Sequence, residues 1–384
     1  MPGFDSRGAV LLTGATGFVG MELLARFLER GSRRVYALVR ASDDEEAAAR
    51  LRPGMASVFG DPDAHPGRVL AVAGDIERPG LGLDRQHVDR IADEVTTVVH
   101  CAASVSFGLT LEEARSVNVD GTRRMVELAE RCAVRGDGLE RFSYVSTAYV
   151  AGTHRGTFRE DQLDVGQGFR NPYERTKFEA ERLVRSRDGL PAQILRPSIV
   201  VGERDSGWTS SFNVLYAPLR AFSRGAFPAV PARRRSPVDI VPVDYVADAG
   251  YELIEHGPDE TFHLVAGRDA TNVARLMELA CGHFDRPPPR VFPPGLYRRV
   301  VHPLLLRRLS GVPREALRRS EVYFPYFSMR VRYDDSRARE RLEPAGVRMT
   351  PVEDYFDRLL DFAHAARWGR RRLGRIEARR LAAA

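Results

Sequence analysis

One tyrosine and one lysine supply the most specific chemical signal in this sequence. Of the 58 lysines and arginines, 57 are arginine, and the exception is Lys177, four residues after Tyr173. Arginine is a rigid planar cation that keeps its proton, whereas lysine is a compact ammonium on a flexible stem. On a helix this spacing places the phenol and the ammonium one turn apart on the same face. Because a nearby cation lowers the pKa of a phenol, we predict that Tyr173 takes part in proton transfer.

A glycine-rich turn stands between the first predicted strand and the first predicted helix. The strand is the apolar run 9–12, the helix covers residues 18–30, and the turn reads TGATGFVG over residues 13–20. Glycines allow the backbone to approach a pyrophosphate, and a helix N-terminus supplies N–H donors with a positive dipole. In this strand–turn–helix context the spacing predicts a dinucleotide site rather than a plain turn. Its residues are Gly14, Thr16, Gly17, Phe18, Val19 and Gly20.

The residue after the second predicted strand indicates which dinucleotide binds. A site for NAD usually places an acid there to accept from the ribose 2′-hydroxyl, whereas an arginine suits a 2′-phosphate. Here Arg40 follows the strand, and the first acid is Asp43. The sequence therefore predicts NADP, with Arg50 as either a second phosphate ligand or a solvated arginine. The third and fourth strands end in residues predicted to line the adenine and the path of the cofactor, namely Asp75, Ile76, Ala102 and Ala103.

Two more polar residues are predicted to join the tyrosine and the lysine. Thr147 follows the fifth strand, and Asn118 lies in a helix predicted over 117–132. Strand ends and helix starts meet at one edge of a parallel sheet, so these residues converge. Tyr173 would donate a proton to a carbonyl as hydride arrives, Thr147 would hydrogen-bond the oxyanion, and Lys177 would bond the nicotinamide ribose. Asn118 would order a water; alternatively, Thr147 and Asn118 are a strand-end hydroxyl and a backbone-bonded helix amide.

The elements that position these residues alternate between strand and helix over the first 200 residues. Apolar strands separated by helices predict an α/β fold with a doubly wound, Rossmann-like parallel sheet. The rhythm breaks after residue 201, and from residue 267 the pattern is mostly helical. We predict an NADP-binding domain over 1–201 and about 238–266. Residues 202–237 and 267–384 would form a smaller, mostly helical substrate lobe with a basic C-terminal tail.

Charge is unevenly distributed along the chain. Residues 286–384 hold 23 arginines and 11 acids, a net charge of +12, whereas the remainder has a net charge of −6. This favours a phosphate-rich or acidic partner, or else a solvated basic surface. No apolar stretch of membrane-spanning length occurs, and residues 1–8 lack the features of a signal peptide. Three widely spaced cysteines, Cys101, Cys132 and Cys281, fit a reducing, cytoplasmic environment and no metal site.

Taken together, the motifs resemble the extended short-chain dehydrogenase/reductase family. The general family is marked by TGATGFVG at 13–20, YERTK at 173–177 and VPVDYVA at 241–247. GDIERPGLGL at 74–83 resembles the GDxxxPxLGL signature of the thioester reductase branch, which includes fatty acyl-CoA reductases and reductase domains of carboxylic acid reductases and peptide synthetases. Four further segments support this branch, namely HCAASVSF at 100–107, NVDGT at 118–122, STAYV at 146–150 and RPSIV at 196–200. The last three are closer to fatty acyl-CoA reductases, since carboxylic acid reductases usually have aspartate in place of Ser198.

The resemblance implies reduction of an acyl thioester, on coenzyme A or an acyl carrier protein, by NADPH. The product would be an aldehyde, with reduction to the alcohol left open. Pro197, Ser198 and Ile199 would add cofactor contacts, and no adenylation or carrier domain is evident, so the acyl group would come from outside. The basic C-terminal third and Arg233, Arg234 and Arg235 would bind phosphates of coenzyme A or an acidic carrier. Residues 296–309 would line an acyl tunnel, contact a membrane surface or, as we prefer, form a packed helix pair broken at Pro303.

Three alternatives remain open from the sequence. Other extended-family enzymes act on nucleotide sugars, as epimerases or dehydratases, or on secondary alcohols, and fold alone does not separate these chemistries. The segment 74–83 argues against both. A regulatory protein that senses NADP without turnover is disfavoured because the tyrosine and the lysine are both present. Nucleic-acid binding lacks a recognition motif.

Overall fold

Seven parallel strands form the central sheet of the computed structural model, which describes residues 8–212, 214–225 and 229–383. Among these residues the strands are, in chain order, β1 (Ala9–Thr13), β2 (Val35–Val39), β3 (Val69–Ala73), β4 (Val95–His100), β5 (Arg141–Val145), β6 (Arg155–Phe158), β7 (Ala192–Pro197), β8 (Ile199–Val201), β9 (Ala229–Pro231), β10 (Pro237–Val238), β11 (Ile240–Pro242), β12 (Thr261–Leu264), β13 (Thr271–Asn272), β14 (Arg290–Phe292) and β15 (Arg330–Tyr333).

The helices of the same residues lie mainly between the strands of the sheet and after its last strand. They are α1 (Phe18–Arg30), α2 (Asp44–Phe59), α3 (Arg85–Glu94), α4 (Leu111–Arg115), α5 (Gly121–Ala133), α6 (Pro172–Arg185), α7 (Tyr216–Ser223), α8 (Val243–His256), α9 (Val273–Phe284), α10 (Pro294–Leu296), α11 (His302–Arg308), α12 (Gly311–Ser320), α13 (Ser336–Leu342), α14 (Phe356–Ala365) and α15 (Arg375–Ala383).

The order of the sheet, β12-β7-β5-β4-β1-β2-β3, places the reversal of strand order between β1 and β4. Open parallel sheets bind ligands at such a switch point, outside the carboxyl ends of the strands. Register is regular there, with Leu12 opposite both Ala37 and Val99. The prediction of a doubly wound, Rossmann-like sheet is confirmed.

Apolar side chains of the sheet alternate between two cores, one on each face. In β1, Val10 and Leu12 pack in the core shared with α1, α2 and α8, whereas Ala9 and Leu11 pack in the core shared with α3, α5 and α6. Successive side chains of a strand point to opposite faces, so a strand covered by helices on both sides is apolar throughout. These cores hold the strand ends, and hence the candidate site, in place.

Four short strand pairs connect the later part of the chain to the sheet and to itself, namely β8–β11, β9–β14, β10–β13 and β6–β15. The C-terminal arginines do not form a free tail, because α15 packs on α2. Arg375 donates to Glu22 at 3.3 Å and to Glu29 at 2.6 Å. The predicted division into two lobes stays a prediction, and residues 1–7, on which the expectation about a signal peptide depends, lie outside the described residues.

Residues 294–308 form one continuous helical segment, so the predicted break at Pro303 is wrong. The turn Tyr297–Val301 is π-helical, and the N–H of His302 donates to the carbonyl of Tyr297. Pro303 comes directly after His302 and lacks the N–H that would make the next hydrogen bond of the ladder, but the helix continues to Arg308. Nowhere in the described part of the chain is a helix both long and apolar enough to cross a membrane.

Candidate active site

The glycine-rich turn follows β1 directly and leaves no room for side chains. Gly14 has φ +76°, and a Cβ on it would lie 2.8 Å from the amide nitrogen of Ala102. A Cβ on Gly20 would lie 2.1 Å from the carbonyl oxygen of Gly14. Gly17 caps α1, whose first turn holds no acid. The turn is therefore a backbone cradle at a helix N-terminus, which fits the pyrophosphate of a dinucleotide.

A buried chain of hydrogen bonds holds the ends of β1 and β4 together. The hydroxyl of Thr122 donates to Asn118 O at 2.7 Å and faces His100 Nε2 at 3.1 Å. The other ring nitrogen of His100, Nδ1, lies 2.8 Å from the hydroxyl of Thr13, which accepts from the amide of Ala102 at 3.1 Å. Burial lowers the pKa of His100 to about 3, so its ring is neutral. This network fixes the backbone of Ala102 and Ala103 beside the glycine turn.

Tyr173 and Lys177 lie on α6 as predicted, and both are close to Cys101, next to the glycine turn. Burial raises the pKa of Tyr173 to about 12, and the hydrogen bond with Thr147 only partly opposes this. Burial also lowers the pKa of the Lys177 ammonium to about 8. Tyr173 therefore keeps its proton at neutral pH and is suited to donate it.

The prediction that Lys177 depresses the pKa of Tyr173 is wrong for this arrangement. Its ammonium donates to the carbonyl of Val145 at 2.8 Å and lies 4.2 Å from the ring centre of Tyr144. Desolvation of the phenol is the largest cause of the raised pKa of Tyr173. The four-residue spacing places Tyr173 and Lys177 on one helix, but burial decides whether the pKa of Tyr173 is raised or lowered.

Thr147 lies where the predicted oxyanion ligand should lie, just after β5. Its hydroxyl accepts from the amide of Tyr149 at 3.2 Å and donates to the carbonyl of Pro197 at 3.3 Å. The contact with Pro197 places the segment Pro197, Ser198 and Ile199 beside Thr147 and Tyr173. The structure thus brings together Thr147, Tyr173, Lys177 and the turn after β7, although no single sequence segment contains them.

Asn118 is buried in the π-helical turn Ser116–Asp120 and is fully engaged with protein groups. Its oxygen accepts from the amide of Ser104 at 2.8 Å, and its nitrogen donates to Ser104 O at 3.1 Å and to Thr176 at 2.9 Å. These bonds tie the loop after β4 to α6. The structure therefore gives Asn118 a positioning role, and its role in ordering a water stays a prediction.

Arg40 and Arg50 lie together at the end of β2. Arg50 donates to the carbonyl of Arg40 at 2.6 Å and pairs with Glu46 at 2.8 Å. The Arg40 side chain is 70% exposed, and its nearest carboxylate is Glu77 at 3.5 Å. The carboxylate of Asp43 accepts from the amide of Glu46 as the cap of α2, so it is engaged with the helix. The structure thus places both arginines at the end of β2, with Arg50 held by Glu46 and by the backbone and Arg40 largely exposed.

Asp75 and Ile76 begin a tight loop after β3, which is the segment that resembles the reductase signature. The amide of Asp75 donates to Leu81 O at 2.7 Å, and the guanidinium of Arg124 donates to Ile76 O at 2.8 Å. The side chain of Ile76 packs on Gly121, where a Cβ would approach it to 3.0 Å. The loop therefore lies against the start of α5, two strands further from the switch point than the glycine turn.

An apolar cavity of about 130 Å³ is lined by Tyr149, two residues after Thr147, and by Ile199 and Tyr326. The ring of Tyr326 stacks on Phe107 with centroids 5.5 Å apart, and Phe107 lies 5.8 Å from Tyr173. Aliphatic and aromatic side chains of α7 and α9 contribute further lining, including Leu219, Phe222, Leu276, Met277 and Ala280.

Two buried hydrogen-bonded clusters hold α6 in place, and neither was predicted from the sequence. Glu181, one turn after Lys177, accepts from Ser146 at 2.7 Å and from Arg196 at 2.6 Å. At the other end, the hydroxyl of Tyr326 donates to Glu174 at 2.9 Å. Acids paired with arginines four residues away, at 170/174 and 181/185, are the only local signal. The other partners of these two acids, Ser146, Arg196 and Tyr326, come from distant segments.

Residues 12–250 match the model of an NAD-binding family described as male sterility protein. Fatty acyl-CoA reductase 1 from Xenopus laevis is 31% identical over 285 residues, which cover 65% of this chain and 54% of the relative. A carboxylic acid reductase from Mycobacterium tuberculosis is 31% identical over 293 residues, which cover 67% of this chain and 24% of that protein. The chain thus spans about half of one curated relative and about a quarter of the other.

Among solved structures, the terminal R domain from the myxalamid PKS-NRPS biosynthetic pathway superposes with a TM-score of 0.82. The two are 28% identical, and the superposition covers 96% of this chain and 93% of the R domain. A UDP-glucuronic acid 4-epimerase from Bacillus cereus in complex with NAD has a TM-score of 0.63 at 17% identity, which reflects the shared fold.

Proposed function

Since the chain belongs to the male sterility protein family and, within the extended short-chain dehydrogenases/reductases, to the thioester reductase and fatty acyl-CoA reductase branch, we propose that it reduces an acyl thioester to an aldehyde with NADPH. The observation that carries the proposal is the apolar cavity lined by Tyr149, two residues after Thr147, and by Tyr326, whose ring stacks on Phe107 next to Tyr173. An acyl chain would occupy that cavity with its carbonyl at the hydroxyls of Thr147 and Tyr173. A nucleotide sugar is polar throughout and fits such a cavity poorly.

The residues of the site divide the work on the carbonyl. The glycine turn and Lys177 would hold NADPH, which would supply hydride to the carbonyl carbon. Thr147 and Tyr173 hydrogen-bond the carbonyl oxygen as it gains charge, and Tyr173 donates its proton to give a hemithioacetal. Collapse breaks the carbon–sulfur bond, the hydroxyl proton returns to the protein, and the thiolate leaves to be protonated as the free thiol. Aldehyde and thiol are the balanced products.

The test of this function is consumption of NADPH with a series of acyl-CoA thioesters and aldehydes, with the products identified. Medium or long acyl chains are expected to give aldehyde, and the aldehyde series shows whether reduction continues to the alcohol. Turnover of a nucleotide sugar with no thioester activity would instead support the epimerase alternative.

We further propose that Arg40 selects NADPH over NADH. Replacing Arg40 with alanine removes a charge-assisted hydrogen bond to the 2′-phosphate, which is worth roughly 1.5–3 kcal/mol, or about 10- to 100-fold in affinity. We expect kcat/KM for NADPH to fall by this factor while kcat/KM for NADH changes little. Arg85→Ala, at a 96% exposed side chain on α3, is the control. Equal losses with both cofactors would show that Arg40 does not read the phosphate.

The ionisation of Lys177 is expected to appear in the pH profile. Its pKa in the folded protein is lowered to about 8, so the ammonium that would hold the ribose is present below this pH and lost above it. We expect kcat/KM for NADPH to fall as pH rises through about 8. Unfolding does not explain such a fall. The pKa of this lysine is about 10.5 in the unfolded chain, so between about pH 8 and 10.5 the unfolded chain binds one proton more than the folded protein. The free energy of unfolding therefore rises with pH in this range, as far as Lys177 contributes to it.

Lys177→Arg provides the matched test of that assignment. Arginine keeps its charge, so the fall near pH 8 should vanish, although the planar guanidinium will lower the absolute rate. If kcat/KM for NADPH still falls near pH 8 in this variant, the ionising group is not Lys177.

Three consecutive arginines border the cavity and are proposed to bind the phosphates of coenzyme A or an acidic carrier protein. Arg233, Arg234 and Arg235 are exposed and lie between Ala232 and Pro237, which both line the cavity. Replacing all three with glutamate should raise KM for the thioester about tenfold or more and leave turnover at saturation unchanged. The same change at three exposed arginines elsewhere, Arg85, Arg131 and Arg182, is the control. An unchanged KM would contradict the proposal.

A further inference from the structure

The helical segment 294–308 keeps three of its aliphatic side chains exposed. Leu296, Val300 and Leu304 recur at four-residue spacing, lie on one face, and are 47–48% exposed. Tyr297 is the one residue of the segment that is buried, and its ring contacts Phe324 with centroids 5.5 Å apart. A helix that packed as an ordinary core element would bury this aliphatic face.

The segment lies on the outer side of the wall of the apolar cavity. His302 Nε2 is 3.0 Å from the carboxylate of Glu321, which brings the 43% exposed Val322 beside the helix. Residues 321–328 contribute Tyr323, Tyr326 and Phe327 to the cavity. Of the nine large hydrophobic side chains exposed in the described residues, three belong to this one face of the helical segment. We call Leu296, Val300 and Leu304 the aliphatic stripe.

Arginines surround the aliphatic stripe. Arg298, Arg299, Arg307 and Arg308 are all exposed, and residues 293–310 contain no aspartate or glutamate. None of the four forms an ion pair with any other described residue. Many other arginines of this protein do pair, for example Arg135 with Asp93 at 2.9 Å. The segment thus combines exposed aliphatic groups with a concentrated positive charge.

We infer that this face docks on an anionic lipid surface. Aliphatic side chains of an amphipathic helix bury in the boundary between headgroups and acyl chains, while arginines extend to anionic headgroups. A symmetric contact between two copies fits less well, because it would bring the same unpaired arginines together. Docking goes beyond the proposed reaction and places the cavity wall at the membrane.

The test uses the full chain in flotation with two kinds of vesicle, one of phosphatidylcholine alone and one of equal parts phosphatidylcholine and phosphatidylglycerol. We expect binding to the anionic vesicles, weakened about tenfold or more by high salt, and little binding to the neutral ones. Leu296→Ser with Val300→Ser and Leu304→Ser, and separately the four arginines changed to serine, should each weaken binding about tenfold or more. Val134→Ser with Leu381→Ser, at side chains 82% and 53% exposed, is the matched control.

Several outcomes would overturn the inference. The first is absence of wild-type binding to anionic vesicles, and the second is binding of the stripe variant equal to that of the wild type. The third outcome comes from sedimentation: the wild type self-associates, the variant with Leu296, Val300 and Leu304 changed to serine is monomeric, and neither protein binds vesicles. NADPH consumption on a short water-soluble acyl-CoA should be the same in the wild type, in the variant with Leu296, Val300 and Leu304 changed to serine, and in the matched control. Because vesicle binding is measured without turnover, failure of the docking and failure of the proposed reaction are distinguishable.

Discussion

Replacement of Tyr173 with phenylalanine is expected to lower kcat for thioester reduction by about 10²- to 10⁴-fold. The hydroxyl has a pKa of about 12, so at neutral pH it carries the proton that the carbonyl oxygen must receive. Phenylalanine keeps the ring against Phe107 but removes this donor. NADPH affinity should change little, because the glycine turn and Lys177 are untouched. Single-turnover reduction and NADPH fluorescence titration measure the two quantities separately.

Tyr323→Phe is the matched control for that variant. Tyr323 belongs to the same aromatic cluster, with its ring 6.1 Å from that of Phe107. Its loss of a hydroxyl should leave kcat within about threefold of the wild type. If Tyr173→Phe keeps wild-type kcat, Tyr173 is not the proton donor, and the proposed chemistry fails with it.

The second large effect is expected from Gly20→Ala, which should weaken NADPH binding about 100-fold or more. The added Cβ would lie 2.1 Å from the carbonyl oxygen of Gly14, and the atom in conflict is backbone rather than a flexible side chain. Either α1 moves away from the turn or the turn opens, and both displace the N–H donors from the pyrophosphate. Isothermal titration with NADPH measures the loss, and the melting temperature shows whether the fold is retained.

Gly282→Ala tests whether the loss is local. Gly282 also lies within a helix, α9, but a Cβ there meets nothing within 4 Å. Alanine should therefore leave NADPH binding unchanged and stabilise the helix slightly. Unchanged NADPH affinity in Gly20→Ala would mean that this turn does not hold the dinucleotide.

The sheet was predictable from the sequence because its strands are short apolar runs in regular alternation with helices. The bounds of α1 coincide with those expected, 18–30, and β2 ends directly before Arg40, as expected. The short strand β6 was not predicted, because its exposed residues show no apolar pattern and it pairs with β15 far along the chain. The pattern of apolar residues in a short segment reflects the burial of that segment. It does not show which distant segment the strand pairs with.

For the candidate site, residue positions were predictable and their electrostatics were not. The spacing of Tyr173 and Lys177 follows from helix geometry, and the glycine turn from the needs of a pyrophosphate. The raised pKa of Tyr173 depends on how deeply α6 is buried by Phe107, Tyr326 and other side chains that come from separate segments. Those neighbours are a property of the assembled fold.

The contact between α15 and the first helix has a consequence for the order of folding. Glu22 is buried in α1, where desolvation raises its pKa, and one of its two compensating cations, Arg375, is separated from it by 353 positions. An emerging chain therefore makes the nucleotide-binding half long before it makes the charge that balances Glu22. Contacts of such sequence separation slow folding. We expect α1 to reach its final protection from hydrogen exchange only after the last helix has been translated.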